Sequence, residues 1–371
     1  MSEINFDGLI GPTHNYSGLS EGNNASKKNF SSPSNPKNAA LQGIKKAETL
    51  IASGLKQGFF LPHERPFIPG LKKLGFNGTD EEILSSAFDH SKVLLSNFSS
   101  ASSMWAANAA TVSPSPDTQD DKVHITPANL NTMFHRSIET EFTYKQCKII
   151  FPKNYFEIHN PAPTISGYGD EGAANHLRIS KSHNEKGFEI FVYGESGFKN
   201  DKTSVKRQAL EVSRSIAFNH KLDMENTFFL QQNHQAVKEG SFHNDIVSLS
   251  NERVFIAHEN AFQNKDDLNK MLNILKSKID NFQYIEISDS EIPLKDIISS
   301  YLLNSQLITN GDNEMQLILP EEVKGYENCM SWLDKLKQIS DVKLFDFVDI
   351  RQSMMNGGCL LYTSPSPRDS T

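Results

Sequence analysis

Short apolar runs alternate with amphipathic stretches along most of this chain, and that alternation leaves few folds open. Lys148–Phe151, Phe188–Tyr193, Phe228–Gln231, Val254–Ala257, Gln316–Leu319 and Val342–Phe347 are β-type runs. Helical patterns lie between them. Asn35-Pro36 opens a stretch in which Leu41, Ile44, Leu50 and Ile51 are expected to share a core-facing side, and Gly54 closes it. Thr79 and Glu82 form a capping box ahead of Ile83 and Leu84, while Leu268, Met271, Leu272, Leu275 and Ile279 keep helical spacing. Interleaved strands and helices predict an α/β or α+β enzyme-like domain. No sequence repeat or long low-complexity linker marks a boundary, so the chain reads as one domain.

With 371 residues the chain can bury a large core. Its net charge of −8 is spread without basic runs, which argues against nucleic acid or an anionic membrane and favours a small-molecule partner. The opening MSEINFDGLIGPTHNYSG lacks the pattern of an export signal, and no segment approaches the roughly 18 apolar residues of a membrane span. A cytoplasmic protein is expected. Cys147, Cys329 and Cys359 have neither disulfide nor metal-type spacing, so no metal site is expected and one thiol at most is a candidate nucleophile.

Several segments carry the residue types that chemistry needs. Gly167-Tyr168-Gly169-Asp170-Glu171-Gly172-Ala173-Ala174-Asn175-His176 sets two acids among small residues that let backbone approach a ligand; the same pattern also suits a capped helix start. In Ser241-Phe242-His243-Asn244-Asp245, an extended chain would put His243 and Asp245 on one face, where an imidazole can move protons beside a carboxylate that holds a cation. A histidine satisfied at a strand edge fits equally. Phe134-His135-Arg136-Ser137 and Lys206-Arg207-Gln208 offer guanidinium forks for carboxylates. Asn108, among alanines, either turns toward a ligand or caps a helix. The polar stretch from Ser17 to Ser34 reads as a loop, either mobile over a site or plain surface.

In order along the chain, FDGLIGPTHNYSGLSEGNNAS, ERPFIPGLKKLGF, SSASSMWAANAATVSPSPDT, FHRSIE, GDEGAANH, SFHNDI and IRQSMMNGG resemble the signature segments of the succinylarginine dihydrolase family. The resemblance runs from about Asn5 to Gly358. It implies the guanidino-group-modifying superfamily and its five-bladed α/β propeller. It further implies hydrolysis of N2-succinylarginine in arginine catabolism, without a cofactor, in a homodimer. Carried over position by position, the catalytic acid falls on Glu171 and the catalytic histidine on His243. Substrate contacts fall on Ser17, Gly18, Leu19, Ser20, Glu21, Gly22, Asn23, Asn24, Ala25 and Ser26, and on Asn108, His135, Arg136, Arg207, Asp245 and Asn356.

The chain departs from the family at its end. The family pattern Asn-Gly-Gly-Gly-Pro-Ala-Cys is replaced by Asn356-Gly357-Gly358-Cys359, followed by a polar tail broken by Pro365 and Pro367 that cannot form a closing strand. Residues 1–358 are thus expected to be one domain and 359–371 foreign sequence. A three-residue displacement moves a thiol by up to roughly 10 Å, against the 3 to 3.5 Å that attack requires, so catalysis is expected to suffer more than binding. A deiminase releasing one ammonia and a non-catalytic binder of succinylated amino acids are the two alternatives.

Overall fold

The computed structural model describes residues 4–16, 19, 33–198 and 208–355. Its first strand, β1 (Ile4–Gly8), leads through the helix Pro36–Ala52 to β2 (Lys56–Phe60), which pairs with β1 in parallel. Four further modules each have three strands. They are β3 (Ala110–Ser113), β4 (Val123–Pro127) and β5 (Phe156–Ile158); then β6 (His176–Ile179), β7 (Phe188–Tyr193) and β8 (Thr227–Gln231). After them come β9 (Ser248–Asn251), β10 (Val254–His258) and β11 (Gln283–Ile287), and finally β12 (Gln306–Thr309), β13 (Met315–Pro320) and β14 (Val342–Val348). In every one the first two strands are antiparallel, a helix crosses over, and the third strand lies parallel to the second. The ββαβ module is therefore used four times, and β1 stands where the others have their middle strand. Among the described residues, β2 is the named strand that pairs with it.

The modules form a closed ring. One large apolar cluster joins the third, fourth and fifth modules, through residues such as Ile190, Phe255 and Leu317. Ile308, Ile318 and Val348 of the fifth module pack on Leu50 and Leu55 of the first, which completes the circle. At this seam the Gly311 N–H donates to the Ser53 carbonyl at 2.8 Å. Gly54 has φ +90, and a Cβ there would come within 2.7 Å of the Gly311 Cα, so only glycine fits. Five modules around one axis are the five-bladed α/β propeller that the resemblance implies.

Most local expectations hold, and two do not. Five of the β-type runs are strands, and Thr79 with Glu82 makes the capping box, its Thr79 N–H donating to Glu82 Oε2 at 2.8 Å. Lys148–Phe151, however, closes the helix Thr140–Ile150, whose buried stripe is Thr143, Gln146 and Cys147 while Ile149 is 84 % exposed. A run that short cannot by itself distinguish a strand from a helix end. The helix Pro36–Ala52 starts as expected, with Asn35 capping the Asn38 N–H, but of the four residues expected to face the core only Leu50 is buried. Its buried residues are Ala39, Lys46, Ala47 and Leu50, whereas Leu41 and Ile51 are each 55 % exposed and Ile44 is exposed as well. Lys46 is the reason. It is buried in an ion pair with Asp7 of β1, and a lysine can take an inward place only when such a partner waits for it.

That facing is testable by urea unfolding. Leu50→Ala should cost about 2–5 kcal/mol, as for other buried leucines, while Leu41→Gln and Ile51→Gln should each stay within about 0.5 kcal/mol of the parent. The opposite ranking would show that the helix packs by its leucine-rich side.

Candidate active site

Three short 3₁₀ turns meet where the innermost strands begin. Ala106–Asn108 leads toward β3, Gly172–Asn175 into β6, and Asn244–Ile246 toward β9. Glu171 stands just before the second turn and His243 just before the third. Gly172 has φ +70, and a Cβ on it would lie 3.1 Å from the Asn108 carbonyl carbon, so glycine lets the two turns nest. His243 is extended, but the residues after it coil into the turn. The strand geometry expected to place His243 and Asp245 on one face is therefore absent, because β9 begins only at Ser248.

Glu171 is the centre of the cluster. It is fully buried, and its Oε2 accepts from His243 Nε2 at 2.9 Å and from Arg136 Nη1 at 2.5 Å. Thr132 Oγ1 donates to its Oε1 at 2.7 Å. His243 and Arg136 are buried too, so this is a charged group held in a low-dielectric pocket by charge-assisted hydrogen bonds. The backbone is gripped as firmly. The Glu171 N–H donates to Gln208 Oε1 at 2.7 Å, and its carbonyl accepts from Asn108 Nδ2 at 2.8 Å. Behind Arg136 lies Glu139, fully enclosed and accepting from Ser102 Oγ; burial raises its pKa, opposed by the charges of Arg136 and Arg65. Arg136 is thus flanked by two carboxylates, and its Nε and Nη2 meet no acceptor among the described residues.

Such an arrangement supplies a proton carrier with a fixed partner. With Nε2 donating to Glu171, the His243 ring is held in place, and the carboxylate stabilises the imidazolium formed when it takes a proton. Asp170, beside Glu171, is equally buried and is pushed up to about 6, chiefly by burial. The Gly172 N–H and the Gln208 amide oppose that rise, and the Glu171 charge adds to it.

Of the residues singled out in the sequence, Glu171, His243, Arg136 and Asn108 come together. His135 is buried on the same short helix as Arg136, Asp245 is half-buried in the turn after His243, and Leu19 is half-buried. Ser17, Gly18, Ser20 to Ser26, Arg207, Asn356 and Cys359 lie outside the described residues. Cys147 and Cys329 are buried in helices; burial pushes the first thiol up to about 12 and raises the second, so neither favours a thiolate. Thr132 was not legible in the sequence, since a lone threonine before a short helix carries no pattern.

The family model for succinylarginine dihydrolase matches residues 1–361. Curated N-succinylarginine dihydrolases are similar to the chain over most of its length: that of Acinetobacter baumannii (strain AYE) is 44% identical over 363 residues, covering 96% of this chain and 81% of the relative. That of Hahella chejuensis is 46% identical over 364 residues, with the same 96% and 81% coverage. Among solved structures, an amidinotransferase of saxitoxin biosynthesis from Microseira wollei aligns with TM-score 0.57 at 13% identity, over 100% of this chain and 95% of that one. A DDAH from Pseudomonas aeruginosa complexed with citrulline aligns with TM-score 0.51 at 14% identity, over 97% of both chains. These two establish a shared fold.

The buried Asp170 makes a pH prediction. Its carboxyl has a reference value of 3.8 and a folded value of about 6, so between these the native state holds the extra proton. Stability is therefore lost as pH rises through that window, and the loss is complete above about 6. Asp170→Asn keeps the Oδ1 acceptor and removes the ionisation, so its unfolding free energy relative to the parent should improve from about pH 4 to about pH 7. A difference that stays flat across those pH values would mean that Asp170 does not titrate on folding.

Proposed function

The chain belongs to the succinylarginine dihydrolase family, and from that premise we propose that it hydrolyses N2-succinylarginine around the Glu171–His243 pair. Two waters are consumed, and N2-succinylornithine, two ammonia and carbon dioxide leave, as a step of arginine catabolism. The observation that carries the reading is the pair itself, 2.9 Å apart and buried, assembled from two modules beside an arginine with two donors that meet no acceptor among the described residues.

The chemistry follows from the electrophile. A guanidinium carbon is already polarised, so a thiolate attacks it without a metal, and His243 passes a proton to the departing ammonia. Water then displaces the sulfur from the amidino adduct, leaving a ureido group and a free thiolate. A second round on the ureido carbon expels the second ammonia, and hydrolysis of that adduct gives a carbamate that loses carbon dioxide. Burial disfavours the thiolates of Cys147 and Cys329, which leaves Cys359, and its place three residues ahead of the family cysteine impairs turnover in this chain more than binding. The substrate carries two carboxylates, which suit the remaining donors of Arg136 together with Arg207, and one guanidinium, which suits Asp245. Asn108, His135, Asn356 and the stretch from Ser17 to Ser26 supply further contacts. The working form is a homodimer in the cytoplasm, the first part of which light scattering checks.

Counting ammonia decides the reaction. Two per N2-succinylarginine are expected, with kcat lowered about 10²- to 10⁴-fold by Glu171→Gln and by His243→Gln, and turnover abolished by Cys359→Ser. One ammonia would make the protein a deiminase. Tight binding without any release would make it a binder of succinylated amino acids.

A further inference from the structure

The innermost strands of four modules are each preceded by a buried asparagine. Asn108 ends the turn before β3, Asn175 ends the turn before β6, Asn244 opens the turn before β9, and Asn304 precedes β12. The first two even share their context, Ala106-Ala107-Asn108 and Ala173-Ala174-Asn175. Three of the four reach across to the main chain of a neighbouring module. Asn108 Nδ2 donates to the Glu171 carbonyl at 2.8 Å, Asn175 Oδ1 accepts the Asn244 N–H at 2.9 Å, and Asn304 Nδ2 donates to the Asp245 carbonyl at 3.2 Å. Each of these bonds ends on the backbone that carries Glu171, or on that directly after His243.

We propose that Asn175 is a positioning residue, whose bond to the Asn244 N–H sets the distance between Glu171 and His243. The proposal rests on the reading of that pair as the proton-transfer centre. Asn175 ends the turn that Glu171 precedes, and Asn244 follows His243 directly, so one side-chain amide ties the two segments together close to the contact they make. The hydrogen bond between Glu171 and His243 tolerates little displacement, because a drift of about 1 Å takes a 2.9 Å contact beyond bonding range. An asparagine is also a costly choice for a site that is 3% exposed. Its Nδ2 finds no acceptor among the described residues, and a buried amide group left without one is destabilising. Packing alone would be served by an apolar side chain of similar volume; the acceptor on the Asn244 N–H would not.

The test compares Asn175→Leu, which removes the acceptor, with Asn175→Asp, which keeps an oxygen at the same place. The readout is the downfield imidazole N–H proton resonance of the His243–Glu171 bond, assigned by its disappearance in His243→Gln, together with kcat and KM on N2-succinylarginine. Asn175→Leu should lose the resonance and lower kcat about 10- to 100-fold with KM nearly unchanged, and Asn175→Asp should keep both. Leu50→Ala, destabilised in the first module, should keep the resonance, which separates positioning from general loss of stability. Should the leucine variant fail to fold, Asn175→Ala makes the same comparison. A leucine or alanine variant that retains the His243 resonance overturns the proposal. Absence of turnover in the parent chain would count against the dihydrolase reading alone, because the resonance is measured without substrate.

Discussion

Glu171 is a carboxylate with no access to water, and everything near the axis of the ring is arranged around that fact. An ion so placed is tolerated only when its lone pairs meet donors in good geometry, and here they meet Arg136, His243 and Thr132. Arg136 and Thr132 come from the second module, Glu171 from the third, and His243 from the connection into the fourth. No single module can solvate this acid. The site and the ring therefore form together, since opening the ring would strand a buried charge.

The ring in turn explains why the modules themselves are so small. A three-stranded sheet with one crossover helix exposes more apolar surface than it can cover alone, and each module completes its core against the next. The shared cluster of the third to fifth modules and the seam between fifth and first are two expressions of that need. At the axis the strand starts crowd together. Small residues build the turns before β3 and β6, and buried asparagines there and before β9 and β12 include three that make hydrogen bonds between modules. The crowding that makes the centre hard to pack also makes it rigid enough to hold an acid and a base at a fixed separation.

Legibility in the sequence followed the range of the interaction. Strands with an uninterrupted apolar run, such as Phe188–Tyr193, and the capping box at Thr79 and Glu82 depend on neighbours within a few residues, and both were visible. The inward side of the helix Pro36–Ala52 was not, because Lys46 is buried by a partner on β1 far away in sequence. Glu171 and His243 were visible one by one and through the family resemblance, whereas Thr132 and Asn175 carry no pattern until their partners are in place. The repeated ββαβ module was implied by the family resemblance and by nothing in the periodicity, since the modules share a topology and an asparagine, and little else.

By itself the sequence determined the alternation of strands and helices, because spacing and local periodicity are written in consecutive residues; the family, and the acid and histidine it singles out, were legible through the resemblance of whole motif segments. Only the tertiary structure decided that Arg136 would be spent partly on Glu171, that the histidine would reach that acid through Nε2, and that asparagines would lace the modules at the axis. Each of these depends on residues from different modules meeting in a space with no water, where the energy of a polar group is set by its partners and not by its neighbours in the chain.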